Sequence, residues 1–127
     1  MSYKIKGHIL GFEEITEVEL FEIDEMFSTI IDKEKRGISF TLVNPYLLRE
    51  YSFDLPSDLK VLLDVKVGSN VHVYNIVVIQ EPLEDSKINF LAPIIINKDN
   101  NTIAQAVLNP KRHPDFGMSE SIKSFKE

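Results

Sequence analysis

The sequence of 127 residues contains no cysteine and only five glycines. The lack of cysteine excludes disulfides, thiolate metal sites and cysteine nucleophiles, and it fits a reducing compartment. The glycines are too scattered to form a G-x-x-x-x-G-K-[ST] or G-x-G-x-x-G loop, which excludes the phosphate chemistry of those loops. The stability of the fold must therefore come from packing alone.

Long apolar runs are also missing. The longest of them, at residues 76–79 and 92–96, fall far short of the ~20 residues that a membrane-spanning helix needs. The N-terminus has lysines, but no apolar stretch follows that could act as a signal peptide. We therefore expect a cytoplasmic protein with no membrane partner.

Basic residues are outnumbered by acidic ones, 14 to 20, which gives a net charge of −6. A field of this sign repels phosphate, so we expect no direct contact with nucleic acid. The charge is concentrated, because residues 13–32 contain eight carboxylates and no lysine or arginine. This run is either a solvated strand face or a surface that meets a basic partner.

Signatures of catalysis are scarce. The histidines, at positions 8, 72 and 113, are dispersed and fit neither an H-x-E nor an H-E-x-x-H pattern. There is also no G-x-S-x-G motif that would expose a serine on a strand-to-helix turn. We expect no enzymatic activity, no metal site and no cofactor.

The polar and apolar patterning predicts a mainly β fold. Residues 3–9 and 71–79 read as strands, and residues 17–23 alternate with a change of phase between Leu20 and Phe21 that predicts a bulge. Charged residues 32–37 predict a hairpin loop, Pro93 predicts an edge or a bulge, and the asparagines of residues 98–101 suit a left-handed turn. We expect a small antiparallel β-barrel-like single domain over residues 1–127, with its core at about 3–110 and an irregular or helical tail at 111–127.

Two short helices complete the prediction. Pro56, Ser57 and Asp58 form a helix-start signal with Ser57 as the N-cap, and the helix should end before Gly68. A possible C-terminal helix begins near Ser119.

Residues 44–54 form an aromatic-rich segment that should be a loop or a sheet edge. The segment contains two tyrosines, a phenylalanine and two leucines. Loops that expose such side chains usually bind something, although half of these could fold back onto the barrel. The sequence favours neither interpretation over the other.

Several segments together resemble the FliW family of flagellar assembly factors. They are Ile9-Leu10-Gly11-Phe12-Glu13, Phe40-Thr41-Leu42-Val43-Asn44-Pro45-Tyr46-Leu47, Tyr51-Ser52-Phe53-Asp54, Asn89-Phe90-Leu91-Ala92-Pro93-Ile94-Ile95-Ile96-Asn97, Ala104-Gln105-Ala106-Val107-Leu108 and Arg112-His113-Pro114. The resemblance implies a small β-barrel without catalysis that binds flagellin and, when flagellin is exported, binds the RNA-binding translational regulator CsrA instead. We expect such a protein to be a monomer when free.

The resemblance also implies where a partner binds. Tyr51, Phe53 and Asp54 match the Y-x-F-D element of the family, which we expect at the CsrA-facing surface, although Ser52 stands where the family commonly has an acidic residue. We expect partner contacts at Glu13, Glu14, Tyr46, Leu47, Glu50, Tyr51, Phe53 and Asp54. The alternative is a barrel that binds a small molecule, or a weak enzyme, with convergent His, Asp and Arg side chains at the barrel mouth.

Overall fold

The computed structural model describes residues 1–34 and 37–125. The elements in chain order are strands β1 Ser2–Ile5, β2 Glu17–Glu22, β3 Phe27–Asp32 and β4 Ser39–Val43, helix α1 Ser57–Leu62, and strands β5 Val71–Val78, β6 Lys87–Ile88, β7 Ile94–Asn97, β8 Thr102–Gln105 and β9 Glu120–Ser121. Short 3-10 helices lie at Pro45–Leu47, Leu83–Asp85 and Ile122–Phe125. The predicted mainly β fold with one short internal helix is confirmed.

Seven of these strands close into a barrel. Their order is β4-β3-β2-β1-β8-β7-β5, and a β4–β5 ladder joins the two ends. Strand β5 runs along β4 on one side and along β7 and then β6 on the other, which gives it the central position that its apolar pattern predicted. All ladders are antiparallel except β1–β8, which is parallel. Closure removes most exposed sheet edges.

Inward-facing side chains fill the barrel. Val18 and Leu20 of β2 are buried with Ile30 of β3 and Leu42 of β4 in one cluster that includes many isoleucines. The β2–β3 register is unbroken from Val18↔Asp32 to Glu22↔Ser28. The predicted bulge at Leu20 and Phe21 is therefore wrong, because Phe21 continues the alternation and points outward.

Three segments cover parts of the barrel's outer surface. One cluster packs segment 44–54 and the C-terminal residues 113–125 against Val43, Val77 and Ile88. A second packs α1 and its flanking residues against Ile95 and Ala104. The N-cap of α1 is Pro56 and not Ser57, because the helix begins at Ser57 and no side chain caps its first turn.

The C-terminal part departs from the predicted helix. Residues Glu120–Ser121 pair with β6 as a short strand, and only Ile122–Phe125 turn as a 3-10 helix. Met118 is exposed, whereas Ile122 is buried and Phe125 packs on the same cluster, so the three do not share one helical side. The sheet edge at β6 offers backbone hydrogen bonds that a helix would leave unused.

Turn chemistry agrees with the sequence where the residues are described. Gly37 and Asn101 have φ of 79° and 58°, the left-handed region that glycine and asparagine tolerate best. The expected edge or bulge at Pro93 is instead a break, since Pro93 lies in the stretch between β6 and β7, where a residue without an N–H leaves no ladder bond unmade. Lys35 and Arg36 of the predicted hairpin loop lie outside the described residues.

Candidate protein-binding surface

Segment 44–54 leaves the end of β4 through a tight turn. Asn44 Oδ1 accepts a hydrogen bond from the N–H of Tyr46 at 3.1 Å, and buried Pro45 occupies the first helical position. The turn places Tyr46 and Leu47 at the surface with 54% and 46% of each residue exposed. Because the turn is fixed by its cap and by Pro45, the backbone that presents these two side chains has little conformational freedom to lose on binding.

Tyr51 anchors the segment from inside. Only 5% of this residue is exposed, and its hydroxyl donates to the Phe90 carbonyl at 2.6 Å while accepting from Asn75 Nδ2 at 3.1 Å. Burial raises the pKa of Tyr51 to about 12, although the Asn75 hydrogen bond opposes the shift. The hydroxyl of Tyr51 is thus bonded inside the protein, while the residue also lines the groove described below, and its expected contact with a partner stays a prediction.

Arg49 ties the segment to the C-terminal residues. Its guanidinium carbon lies 5.0, 4.9 and 5.4 Å from the ring centroids of Phe90, Phe116 and Phe125. Its Nη1 atom also contacts Glu120 Oε2 at 3.3 Å and the Asp115 carbonyl at 3.2 Å. The sequence analysis did not identify Arg49 as part of this site. Its neighbours in segment 44–54 are aromatic, which was the one indication available. Nothing in the sequence connects Arg49 with the distant Phe116 and Phe125.

A narrow groove runs between the segment and the barrel. It has a volume of about 220 Å³ and a mainly apolar lining to which Tyr46, Phe53 and Ile95 contribute. Phe53 is half-buried on its wall, whereas Glu50 and Asp54 are exposed. Desolvation raises the pKa of the Tyr46 phenol beside the groove. Aromatic walls with acidic residues nearby suit an apolar side chain flanked by basic ones.

The acidic residues expected to join this site lie elsewhere. Glu13 and Glu14 are exposed in the loop between β1 and β2, whose residues 9–12 reach the barrel mouth where β4 begins and β5 ends. Tyr46 and Leu47 instead follow the opposite end of β4. The structure therefore does not bring the eight expected contact residues into one patch.

The barrel mouth is a cavity of about 460 Å³. Apolar side chains such as Ile9, Phe40 and Ile76 dominate its lining, and its polar residues are Lys87, Asn89, Gln105 and Ser119. Within the described chain, no His, Asp or Arg lines this cavity. This lining counts against the alternative of a small-molecule or catalytic site, for which we expected those side chains to converge.

Within residues 1–34 and 37–125, no group of three or more His, Cys, Asp or Glu side chains is placed to hold a metal ion. No helix within this part of the chain has the length and apolar character needed to cross a membrane.

The fold and its surfaces define a small mainly β protein with a closed barrel and an aromatic segment packed on its outside. A family model described as FliW protein matches residues 2–120. The chain is 50% identical over 125 residues to flagellar assembly factor FliW 1 of Wolinella succinogenes, covering 98% of both chains. It is 46% identical over 127 residues to flagellar assembly factor FliW of Helicobacter pylori strain G27, covering 98% of this chain and 94% of that one.

A solved structure agrees with this similarity. A crystal structure of the flagellar assembly factor FliW superposes with a TM-score of 0.87 at 22% identity, covering 99% of this chain and 86% of the other. The expected fold is thereby confirmed. This chain belongs to the FliW family of flagellar assembly factors.

Proposed function

We propose that the chain binds and antagonises the RNA-binding translational regulator CsrA and also binds flagellin, so that flagellin translation is coupled to flagellin export. It acts in the cytoplasm as a non-enzymatic, chaperone-like partner switch, as one FliW-like domain that is a monomer when free. Family membership supports this proposal. The observation that carries it is the rigid presentation of Tyr46 and Leu47 beside an apolar groove.

The net charge supplies a mechanism for the antagonism. A protein of charge −6 that docks next to an RNA-binding surface opposes the approach of phosphate even where it leaves the site uncovered. Flagellin then releases the regulator by binding to the chain in its place. RNA binding is thus controlled by a protein that does not itself contact RNA.

The direct test is calorimetry of the purified chain with CsrA and, separately, with flagellin at moderate salt. We expect heat of binding from both, and flagellin should displace CsrA from a preformed complex. A pull-down from a flagellin-deficient lysate should recover CsrA as the main partner. Absence of binding to both proteins would overturn the proposal, and recovery of no CsrA would reduce the role to a flagellin chaperone.

The Asp54→Lys variant tests the segment itself. Asp54 is exposed beside the groove, so reversing its charge should weaken CsrA binding by about tenfold without unfolding the chain. Asp58→Lys is the matched control, because Asp58 is also exposed and the substitution changes the charge by the same amount at a different place, on α1. Equal CsrA affinities for the two variants in calorimetry would remove segment 44–54 from the interface.

A further inference from the structure

The outer surface of the barrel is covered unevenly. Segment 44–54 with the C-terminal residues covers one part, and α1 covers another. Phe27, at the start of β3, packs in the first of these clusters. The other outward residues of β2 and β3 belong to none of the described clusters, and we call them the β2–β3 face: Glu17, Glu19, Phe21, Thr29 and Ile31. This face is thus open to a partner.

Two large apolar side chains stand at the centre of the β2–β3 face. Phe21 and Ile31 are 45% and 40% exposed, and the register places them diagonally across the β2–β3 ladder. A hollow of about 310 Å³ is formed by Phe21 and Ile31 with Glu19, Asp32 and Lys33. Neither Phe21 nor Ile31 belongs to the barrel core, so packing within the described chain does not account for them.

Carboxylates gather at the Phe21 end of the face. Asp24 and Glu25 lie in the turn that follows β2 and are exposed, and Glu19 lines the hollow on the face itself. Asp24 Oδ1 fixes the turn by accepting hydrogen bonds from the N–H groups of Met26 and Phe27 at 2.9 and 2.8 Å. A basic side chain lies at the other end of the face, where Lys33 Nζ contacts Glu17 Oε2 at 3.0 Å. The apolar centre therefore has one strongly anionic flank.

We propose that the β2–β3 face docks a cationic protein surface, which inserts an apolar side chain between Phe21 and Ile31 and sets basic side chains against Glu19 and Glu25. This inference rests on the proposed function, in which that cationic protein is the RNA-binding regulator. It adds a second contact surface to segment 44–54.

Charge complementarity selects this occupant over the others. A second copy of the chain carries the same net charge of −6, and like-charged molecules repel one another on approach. Nucleic acid would meet the same carboxylates with its phosphates. A basic protein gains from both the charge and the buried apolar area, and the aromatic anchor supplies most of the affinity.

The test is calorimetry of CsrA with the wild-type chain and with Phe21→Thr and Ile31→Thr. Threonine keeps the strand propensity at these positions while removing the apolar anchor. We expect Phe21→Thr to weaken binding by about tenfold or more. Val107→Thr is the control, since Val107 is an exposed apolar residue outside the β2–β3 face and its loss should leave affinity unchanged. Urea denaturation of each variant verifies folding.

A charge reversal tests the anionic flank separately. Glu25→Lys should slow CsrA association and reduce the dependence of affinity on salt, whereas Glu81→Lys, an exposed residue in the loop after β5, should do neither. If Phe21→Thr bound CsrA with wild-type affinity, the β2–β3 face would be excluded as a docking surface, and the proposed function would be unaffected. Failure of the wild-type chain to bind CsrA would overturn both. A wild-type dimer that Phe21→Thr converts to a monomer in sedimentation would assign the face to a second copy and overturn the inference.

Discussion

Replacing Tyr51 with alanine is expected to lower the free energy of unfolding by about 3–5 kcal/mol, the range for loss of a buried aromatic ring. The ring of Tyr51 packs within 4.7–5.5 Å, centroid to centroid, of Phe53, Phe90 and Phe116. Folded domains are stable by only about 5–15 kcal/mol, so this one change removes a large share of the total. Urea denaturation followed by circular dichroism measures the effect.

The Tyr51→Phe variant isolates the hydroxyl. It leaves the buried Phe90 carbonyl without its donor at 2.6 Å and Asn75 Nδ2 without one of its two acceptors. We expect the free energy of unfolding to fall by about 1–3 kcal/mol. Tyr46→Ala is the matched control, because Tyr46 is mostly exposed and its loss should cost below about 1 kcal/mol. If Tyr51→Ala kept wild-type stability but lost CsrA affinity, Tyr51 would be a contact residue after all.

The pH dependence of stability provides an independent check on Tyr51. Its pKa is about 12 in the folded chain and near 10 when unfolded, so between those values the unfolded state has released a proton that the folded state still holds. Stability contributed by this hydroxyl is therefore present below pH 10 and is lost as the pH rises towards 12. The wild-type chain should lose more stability over this interval than Tyr51→Phe. Parallel curves for the two proteins would contradict the burial of the phenol.

Local patterns predicted the parts of the fold that depend on local chemistry. Alternation located the strands, and Gly37 and Asn101 marked left-handed turns, whereas Pro93 suggested an edge or a bulge where the structure has a break between β6 and β7. The predicted bulge at Leu20 and Phe21 was wrong, because an exposed aromatic residue in a strand breaks the apolar alternation in the same way as a bulge does. Hydrophobicity alone does not distinguish a side chain packed in the core from one held out for a partner.

The candidate site was predictable only in part, since its assembly depends on contacts distant in sequence. Segment 44–54 was recognisable from its aromatic content, and the structure shows that both expected behaviours occur, with Tyr46 exposed and Tyr51 buried. Nothing local marks Arg49 as the partner of Phe116 and Phe125, 67 and 76 residues further along the chain. The C-terminal residues likewise form a strand because the edge of β6 is available, and no local propensity encodes that neighbour.

Arg49→Ala is expected to destabilise the chain by about 2–4 kcal/mol and to loosen the C-terminal residues from the barrel. The guanidinium lies among three aromatic rings, where a desolvated cation–π contact contributes about 2 kcal/mol. Its hydrogen bonds to Asp115 and Glu120, at 3.2 and 3.3 Å, are long and add up to about 2 kcal/mol more. Arg49→Lys should recover less than half of the loss, because an ammonium cannot stack on several rings while bonding Glu120.

Amide hydrogen exchange distinguishes this local role from general destabilisation. The N–H of Phe90 donates to the Gly117 carbonyl at 2.9 Å and that of Ile122 to the Ser86 carbonyl at 3.0 Å, so both amides report whether the C-terminal residues remain docked. In Arg49→Ala these two amides should lose more protection than those of the barrel ladders. Lys123→Ala is the control, since the Lys123–Asp85 ion pair is exposed and its removal should cost about 0–1 kcal/mol. Uniform loss of protection across the chain would mean that Arg49 stabilises the barrel as a whole and does not specifically clamp its C-terminal residues.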